Sequence, residues 1–329
     1  MRDTIPPQFP AEWQPLVDKA ALAIRALAVD GAAKEKFLND PLLRPITQRV
    51  AQRYVAGRTI EEALERAASI NRAGHKASIE YMGESVRDAA FANAETEVFL
   101  RLIRAAGERQ LDSTISFDLS HVGSMISPEL GYQNTRRMAR AAAEHGLELI
   151  ISMEASDRVD DIFAVYRRLH EEDGLNTVGI TMAAKLHRSV DDLPKLMALP
   201  GRIRLVKGAF FESEAIAWPR NSPELAAVYC RFAKYLLASG HTCSIATHDR
   251  SIQAELTGFI TQQGIQQGHY EFESLIGLGT EQVAGLHARG FPTREYAVFG
   301  EDTFLYVLNR ISEEPIRVYQ AIIDAMGAA

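Results

Sequence analysis

Two cations stand three residues apart in Arg202-Ile203-Arg204-Leu205-Val206-Lys207-Gly208-Ala209, at the end of a short apolar run that a glycine interrupts. A strand that ends this way exposes backbone amides and positive side chains where an anion such as a pyrophosphate can approach. Other apolar runs close on Glu80, Asp118, Ser152, Glu154, Lys185, His248, Asp249, Glu273 and Tyr296. Three chemistries use groups of these types. Metal-dependent hydrolysis needs several His and carboxylate ligands, but no HxH closes the first run and no HExxH occurs. A Schiff-base enzyme would use Lys207, with Leu205 and Val206 desolvating its amine. The third chemistry is the binding of a phosphate-bearing cofactor by Arg204, Lys207 and Gly208. The residue types leave the second and third open. Taken singly, each of these residues reads as a hydrogen-bonded structural group or a solvated rim residue, so their convergence carries the weight.

Convergence requires a scaffold that brings many strand ends to one place. Short β-rich runs span 76–82, 114–119, 147–153, 177–182, 202–206, 242–247, 270–273 and 295–299. Helical patterns such as 134–145, 159–172, 190–198, 223–239, 251–263 and 280–289 lie between them. Eight strands with seven intervening helices and a final helix predict an α/β fold, a (β/α)8 barrel of TIM type, with its active site at the C-terminal strand ends. An open doubly wound sheet would carry a glycine-rich turn after its first strand, and Met82-Gly83-Glu84-Ser85 supplies one glycine of that pattern. Residues 1–75 read as an N-terminal helical segment packing on the barrel, and 76–329 as the catalytic barrel, with no second globular domain. Within the first segment Thr59-Ile60-Glu61-Glu62 is a capping box that starts a helix whose apolar face is Ile60, Ala63, Leu64, Ala67 and Ile70.

Composition narrows the setting. The 329 residues are 47% apolar and carry 36 basic against 43 acidic side chains, which excludes extensive disorder and argues against nucleic acid as a partner. No segment approaches an integral membrane span, and the N-terminus lacks a secretory apolar core, so a cytoplasmic location is expected. Cys230 and Cys243 are too few for a disulfide framework.

The run 202–210, with Ala246-Thr247-His248-Asp249, closely resembles the proline dehydrogenase family of FAD-dependent enzymes. The resemblance continues through Tyr270-Glu271-Phe272-Glu273-Ser274-Leu275-Ile276-Gly277, Tyr296-Ala297-Val298-Phe299-Gly300, Tyr306 and Arg310, and back to Gly83-Glu84 and 59–63, covering about residues 45 to 325. It implies a distorted (β/α)8 barrel with FAD lying across the strand ends. Arg204 would then sit near the reactive flavin nitrogen and favour the charge that accumulates on reduction. The resemblance also makes Met153, Ala183, Val206, Lys207, Gly208, Ala209, Thr247 and His248 cofactor contacts, with Lys207 on the pyrophosphate. Tyr296, Tyr306, Asn309 and Arg310 fall at substrate positions, with Glu313 orienting Arg310. The implied electron acceptor is a quinone. The length leaves no room for the aldehyde dehydrogenase or DNA-binding segments of the bifunctional members.

Departures from the family gather at the substrate. Asp118 stands where a Lys is general, Ser152 where an Asp is, and Asn309 where the first of two consecutive arginines clamps the proline carboxylate. These three changes make the pocket more negative by two charges. Ala183 replaces a flavin-contacting Gln, Lys185 an aromatic residue, and Glu273 a Gln. Losing one partner of a buried charge pair costs roughly 2–5 kcal/mol, and Asp118 adds repulsion toward a carboxylate. The expected activity is hydride transfer from a carbon bearing an amine to FAD, giving an imine, with a small-molecule amine other than free L-proline as substrate. By analogy this suits a role in secondary metabolism. The alternatives are an L-proline dehydrogenase that tolerates the changes and a non-catalytic barrel that has lost flavin.

Overall fold

Polar and apolar residues alternate along eight short runs, and each becomes a strand with one face toward a lumen and one toward covering helices. The strands are β1 (Lys76–Tyr81), β2 (Ser113–Phe117), β3 (Glu148–Ile151), β4 (Val178–Ala183), β5 (Ile203–Val206), β6 (Cys243–Ala246), β7 (Tyr270–Leu275) and β8 (Thr293–Phe299). All are parallel to their neighbours, and β8 pairs with β1 to close the barrel. The expected (β/α)8 architecture is therefore present, with strand ends within two residues of those read from the sequence. The computed structural model describes residues 11–220, 222–301, 303–313 and 316–327.

The crossovers are α5 (Ala89–Glu108), α6 (Pro128–Glu144), α7 (Val159–Glu171), α8 (Ser189–Met197), α9 (Pro223–Ser239), α10 (Arg250–Gln263) and α11 (Thr280–Ala288). Helix α6 starts six residues before the expected 134, because Ser127 caps the Leu130 amide and Pro128 occupies the first turn. Before the barrel, α4 (Ile60–Arg72) is set by the capping box of Thr59 and Glu62, and it buries Ala63, Leu64, Ala67 and Ile70. It packs against β1 and β8.

The chain divides into two compact units, Ala56–Gly300 with the barrel and α4, and a terminal unit of Met1–Val55 with Glu301–Ala329. In the terminal unit α1 (Gln14–Ala28) packs on α12 (Thr303–Glu313), and α3 (Leu43–Tyr54) on α13 (Ile316–Met326). Arg53 grips both carboxylate oxygens of Asp324 at 2.5 and 2.6 Å.

The barrel lumen is unusually polar for this architecture, in which branched apolar side chains dominate. At its lower level Glu271 of β7 accepts from Arg294 of β8 at 2.6 Å and from Ser244 of β6 at 2.6 Å. Arg202, just before β5, lies 3.2 Å from Glu271 and 2.6 Å from Glu148 of β3. Arg294 also donates to the Ala77 carbonyl of β1. Burial alone would raise the Glu271 carboxyl, but Arg294 and Arg202 outweigh it and hold the group down at about 2.

A carboxylate depressed in the folded state stabilises the protein above its unfolded value of 4.5, and that contribution is lost as pH falls toward 2. Glu271→Ala leaves two buried arginines short of a partner, so chemical unfolding at pH 7 is expected to show a loss of about 3–5 kcal/mol. A loss below about 1 kcal/mol contradicts this reading of the lower level.

Candidate active site

Above that level, Arg204 of β5 crosses the lumen and is 4% exposed. Its Nε donates to Glu273 Oε2 at 2.9 Å, and one terminal nitrogen donates to Ser78 Oγ at 2.8 Å and Ser116 Oγ at 2.9 Å. The two serines belong to β1 and β2 and lie 3.0 Å apart, and Thr114 donates to Ser78 at 2.9 Å. Small hydroxyl residues at these inward positions make room for the guanidinium and accept its protons. The ring of Tyr296 lies on the guanidinium, with 4.8 Å between its centroid and Cζ. Glu273 Oε1 and the Thr181 hydroxyl are buried and have no hydrogen-bond partner among the described residues.

One level higher, at the C-terminal mouth, the groups are acidic. Glu80 Oε2 accepts from the Tyr296 hydroxyl and from Ser152 Oγ, the latter at 3.0 Å. Burial raises the Glu80 carboxyl to about 7, opposed by Ser152 and Arg204 and assisted by the charges of Glu154 and Glu273. Asp118, at the end of β2, is raised well above the carboxylate range by burial and then by Glu80, Glu154 and Glu84. Glu154 accepts from the Ser120 amide at 2.9 Å. The mouth therefore gathers carboxyls that suppress one another's ionisation, and an entering cation would favour their charged forms.

The cations nearby are committed elsewhere. Lys207 is 2.7 Å from Asp249, which caps α10 through the Ser251 and Ile252 amides. Burial would raise Asp249, but Lys207 and Ser251 bring it down to about 2. Lys185 is buried and donates to the Phe210 carbonyl at 2.6 Å. Burial, followed by Arg220, lowers its amine, with Glu212 opposing. Gly208 (φ +112°) lies against the Lys185 stem, where a Cβ would come within 2.6 Å of Cδ. This glycine therefore serves both a left-handed turn and a close contact.

Met153, Ala183 and Val206 come together, with Ala183 in an apolar cluster with Val159, Leu186 and Ala217 against which Met153 and Val206 pack. Ala209 is exposed on the loop beyond Gly208. Thr247 is buried and accepts from the Asp249 amide at 3.1 Å. His248 lies beside the turn at Gly279, where an added Cβ would stand 3.6 Å from its own Cβ. Tyr306, Asn309 and Arg310 are on α12 of the terminal unit, where the Arg310 guanidinium is 5.3 Å from the Tyr306 ring centroid. The Glu313 side chain lies outside the described residues.

The reading of strand ends missed Ser78 and Ser116, which accept hydrogen bonds from Arg204, and Thr181, its register partner on β4. Their signal is the spacing of two that joins Ser78 to Glu80 and Ser116 to Asp118 on the inward face.

A closed parallel barrel whose C-terminal strand ends gather acids, a tyrosine and paired cations has the architecture of the barrel enzymes, whose sites lie on that face. Residues 63–314 match the sequence profile of the family described as Proline dehydrogenase. Proline dehydrogenase 1 of Bacillus subtilis (strain 168) is 33% identical over 270 residues, covering 82% of this chain and 88% of that protein. Proline dehydrogenase of Deinococcus radiodurans is 31% identical over 279 residues, covering 84% and 90%. The chain belongs to the proline dehydrogenase family. The crystal structure of proline utilization A from Bdellovibrio bacteriovorus inactivated by N-propargylglycine shares the fold, with a TM-score of 0.78 at 19% identity over 90% of this chain. This chain spans 36% of that longer one. No helix among the described residues is long and apolar enough to cross a membrane.

A carboxyl raised from 4.5 to about 7 costs the folded state stability as pH rises through that window, because the folded protein holds a proton that the unfolded chain has released. Glu80→Gln removes this term. Urea unfolding at about pH 5 and pH 8 is expected to show the variant gaining on the wild type at the higher pH. An unchanged difference between the two pH values contradicts the raised carboxyl.

Proposed function

We propose that the protein is an FAD-dependent oxidoreductase of proline dehydrogenase type that removes hydride from a carbon bearing an amine and leaves an imine, and that its substrate is an amine other than free L-proline. The observation that carries the substrate reading is the charge of the barrel mouth. Glu80, Asp118 and Glu154 gather there, while Arg204, Lys207 and Lys185 are engaged by Glu273, Asp249 and the Phe210 carbonyl. An ammonium is favoured in such surroundings and a free carboxylate is opposed.

The residues present fit a flavin. Met153, Ala183 and Val206 form an apolar bed suited to a flat aromatic ring. Ala183 offers no side-chain hydrogen bond, but the buried Thr181 hydroxyl, two residues earlier on β4, has no partner and supplies one. Arg204 is a buried cation on β5, and Lys207 at the strand end, held by Asp249, is the proposed contact to phosphates on the family resemblance. Gly208, Ala209, Thr247 and His248 complete the proposed lining. When bound, FAD supplies the two-electron acceptor for the hydride, and a quinone is the proposed onward acceptor on the family resemblance. Tyr296 is held by Arg204 below and Glu80 beside it, which fixes its ring as a wall against which a substrate can pack. Tyr306, Asn309 and Arg310 are proposed substrate contacts on the family resemblance alone.

The test loads the purified protein with FAD and compares turnover of pyrrolidine and L-proline with an artificial electron acceptor. The expected kcat/KM for pyrrolidine exceeds that for L-proline by at least about tenfold, corresponding to about 1.4 kcal/mol. Equal or better use of L-proline makes the protein an L-proline dehydrogenase, and failure to take up FAD makes it a non-catalytic barrel. Either result overturns the proposal.

A further inference from the structure

We propose that Glu80 is the base that accepts a proton from the substrate's ammonium group before hydride leaves the adjacent carbon. The inference rests on the amine-oxidising reading and adds the residue that prepares the amine.

Hydride leaves a carbon only when the neighbouring nitrogen has a lone pair to form the C=N bond, so a substrate that arrives as an ammonium must first lose a proton. The acceptor must be a carboxylate in the mouth, oriented, with an oxygen available. Glu80 meets these conditions. It is the penultimate residue of β1 and points inward. Tyr296 of β8 and Ser152, just beyond β3, both donate to Oε2. Oε1 accepts no hydrogen bond among the described residues. The charged groups that face it are Arg204 from β5, Glu273 from β7, Glu154 from the loop after β3 and Asp118 from the end of β2. Burial, assisted by Glu154 and Glu273 and opposed by Ser152 and Arg204, raises its carboxyl to about 7. That value suits proton acceptance at neutral pH.

The other two acids are less suited. Glu154 is engaged by the Ser120 amide. Asp118, raised by burial and then by Glu80, Glu154 and Glu84, makes no side-chain capping hydrogen bond that would orient its carboxyl.

In the step proposed, the ammonium N–H bond breaks, its electron pair stays on nitrogen, and an O–H bond forms on Glu80. With FAD bound, the cofactor would supply the two-electron acceptor for the hydride of the adjacent C–H bond, and the nitrogen lone pair freed by Glu80 would form the C=N bond. The proton on Glu80 leaves to solvent through the mouth. The substrate would lose two electrons and the bound FAD would gain them.

The test is anaerobic reduction of FAD-loaded protein by pyrrolidine, followed from about pH 5.5 to 9 in wild type, Glu80→Gln and Glu80→Asp. The wild-type rate should rise through a limb near pH 7 to a plateau. Glu80→Gln should lose that limb, fall at least about a hundredfold at neutral pH, and recover only at alkaline pH, where the free amine is abundant. Glu80→Asp should restore a limb with part of the rate. A readout independent of turnover is an infrared carboxyl band that titrates near pH 7 in wild type and is missing from Glu80→Gln, with flavin absorbance unchanged. If the wild type is reduced and Glu80→Gln keeps the limb and a rate within about threefold, the assignment of Glu80 is overturned while the amine reading stands. If FAD is bound but neither pyrrolidine nor L-proline reduces it, the amine reading falls and this inference falls with it.

Discussion

A single buried arginine organises the barrel from its interior to its mouth. Arg204 lies across a lumen where a full positive charge without compensation is very costly, so the surrounding strands answer it. Glu273 supplies the opposite charge from β7, while Ser78 and Ser116 supply acceptors from β1 and β2 without filling the space the guanidinium needs. The Tyr296 ring then lies on the guanidinium face, and that placement carries its hydroxyl to Glu80. Below, the same solution recurs with Arg202, Arg294 and Glu271. The inward positions that branched apolar residues fill in most such barrels are here held together by charge and hydrogen bonds.

This arrangement has an electrostatic consequence at the mouth. With Arg204 neutralised by Glu273, the field that reaches the strand ends is governed by Glu80, Asp118 and Glu154. Lys207 is paired with Asp249, and Lys185 is directed to the Phe210 carbonyl; neither is among the charges that act on Glu80 or Asp118. The carboxyls are crowded and partly desolvated, which raises Glu80 and Asp118 together. Such a group is a poor receptor for a carboxylate and a good one for an ammonium, and it includes a proton acceptor suited to neutral pH. Membership of the proline dehydrogenase family accounts for the barrel, and on the reading proposed above the identity of a few inward side chains sets which amine the site favours.

Much of this was legible in the residues. Short β-rich runs separated by helical stretches located all eight strands to within two residues at each end. Thr59 and Glu62 announced α4, because a capping box is a local signal that needs no tertiary context. The start of α6 was hidden because Ser127-Pro128 precedes the clear periodicity, so the cap and not the apolar face decides it. Arg204, Lys207, Glu80 and Tyr296 were recognisable as strand-end groups. Their partners were not, since Glu273 and Ser78 are 69 and 126 residues from Arg204 in sequence and meet it only because the barrel closes. The direction of Lys185 was equally hidden, because it depends on Gly208 leaving room for its stem and on the loop that presents the Phe210 carbonyl.

The central claim is that the mouth is built for a positive charge. The most direct measurement compares two ligands of one shape and opposite charge, cyclopentylammonium and cyclopentanecarboxylate, by their perturbation of flavin absorbance in the FAD-loaded protein at pH 7.5 and constant salt. The account predicts a Kd at least about tenfold lower for the ammonium, or about 1.4 kcal/mol. Equal or tighter binding of the carboxylate would contradict it.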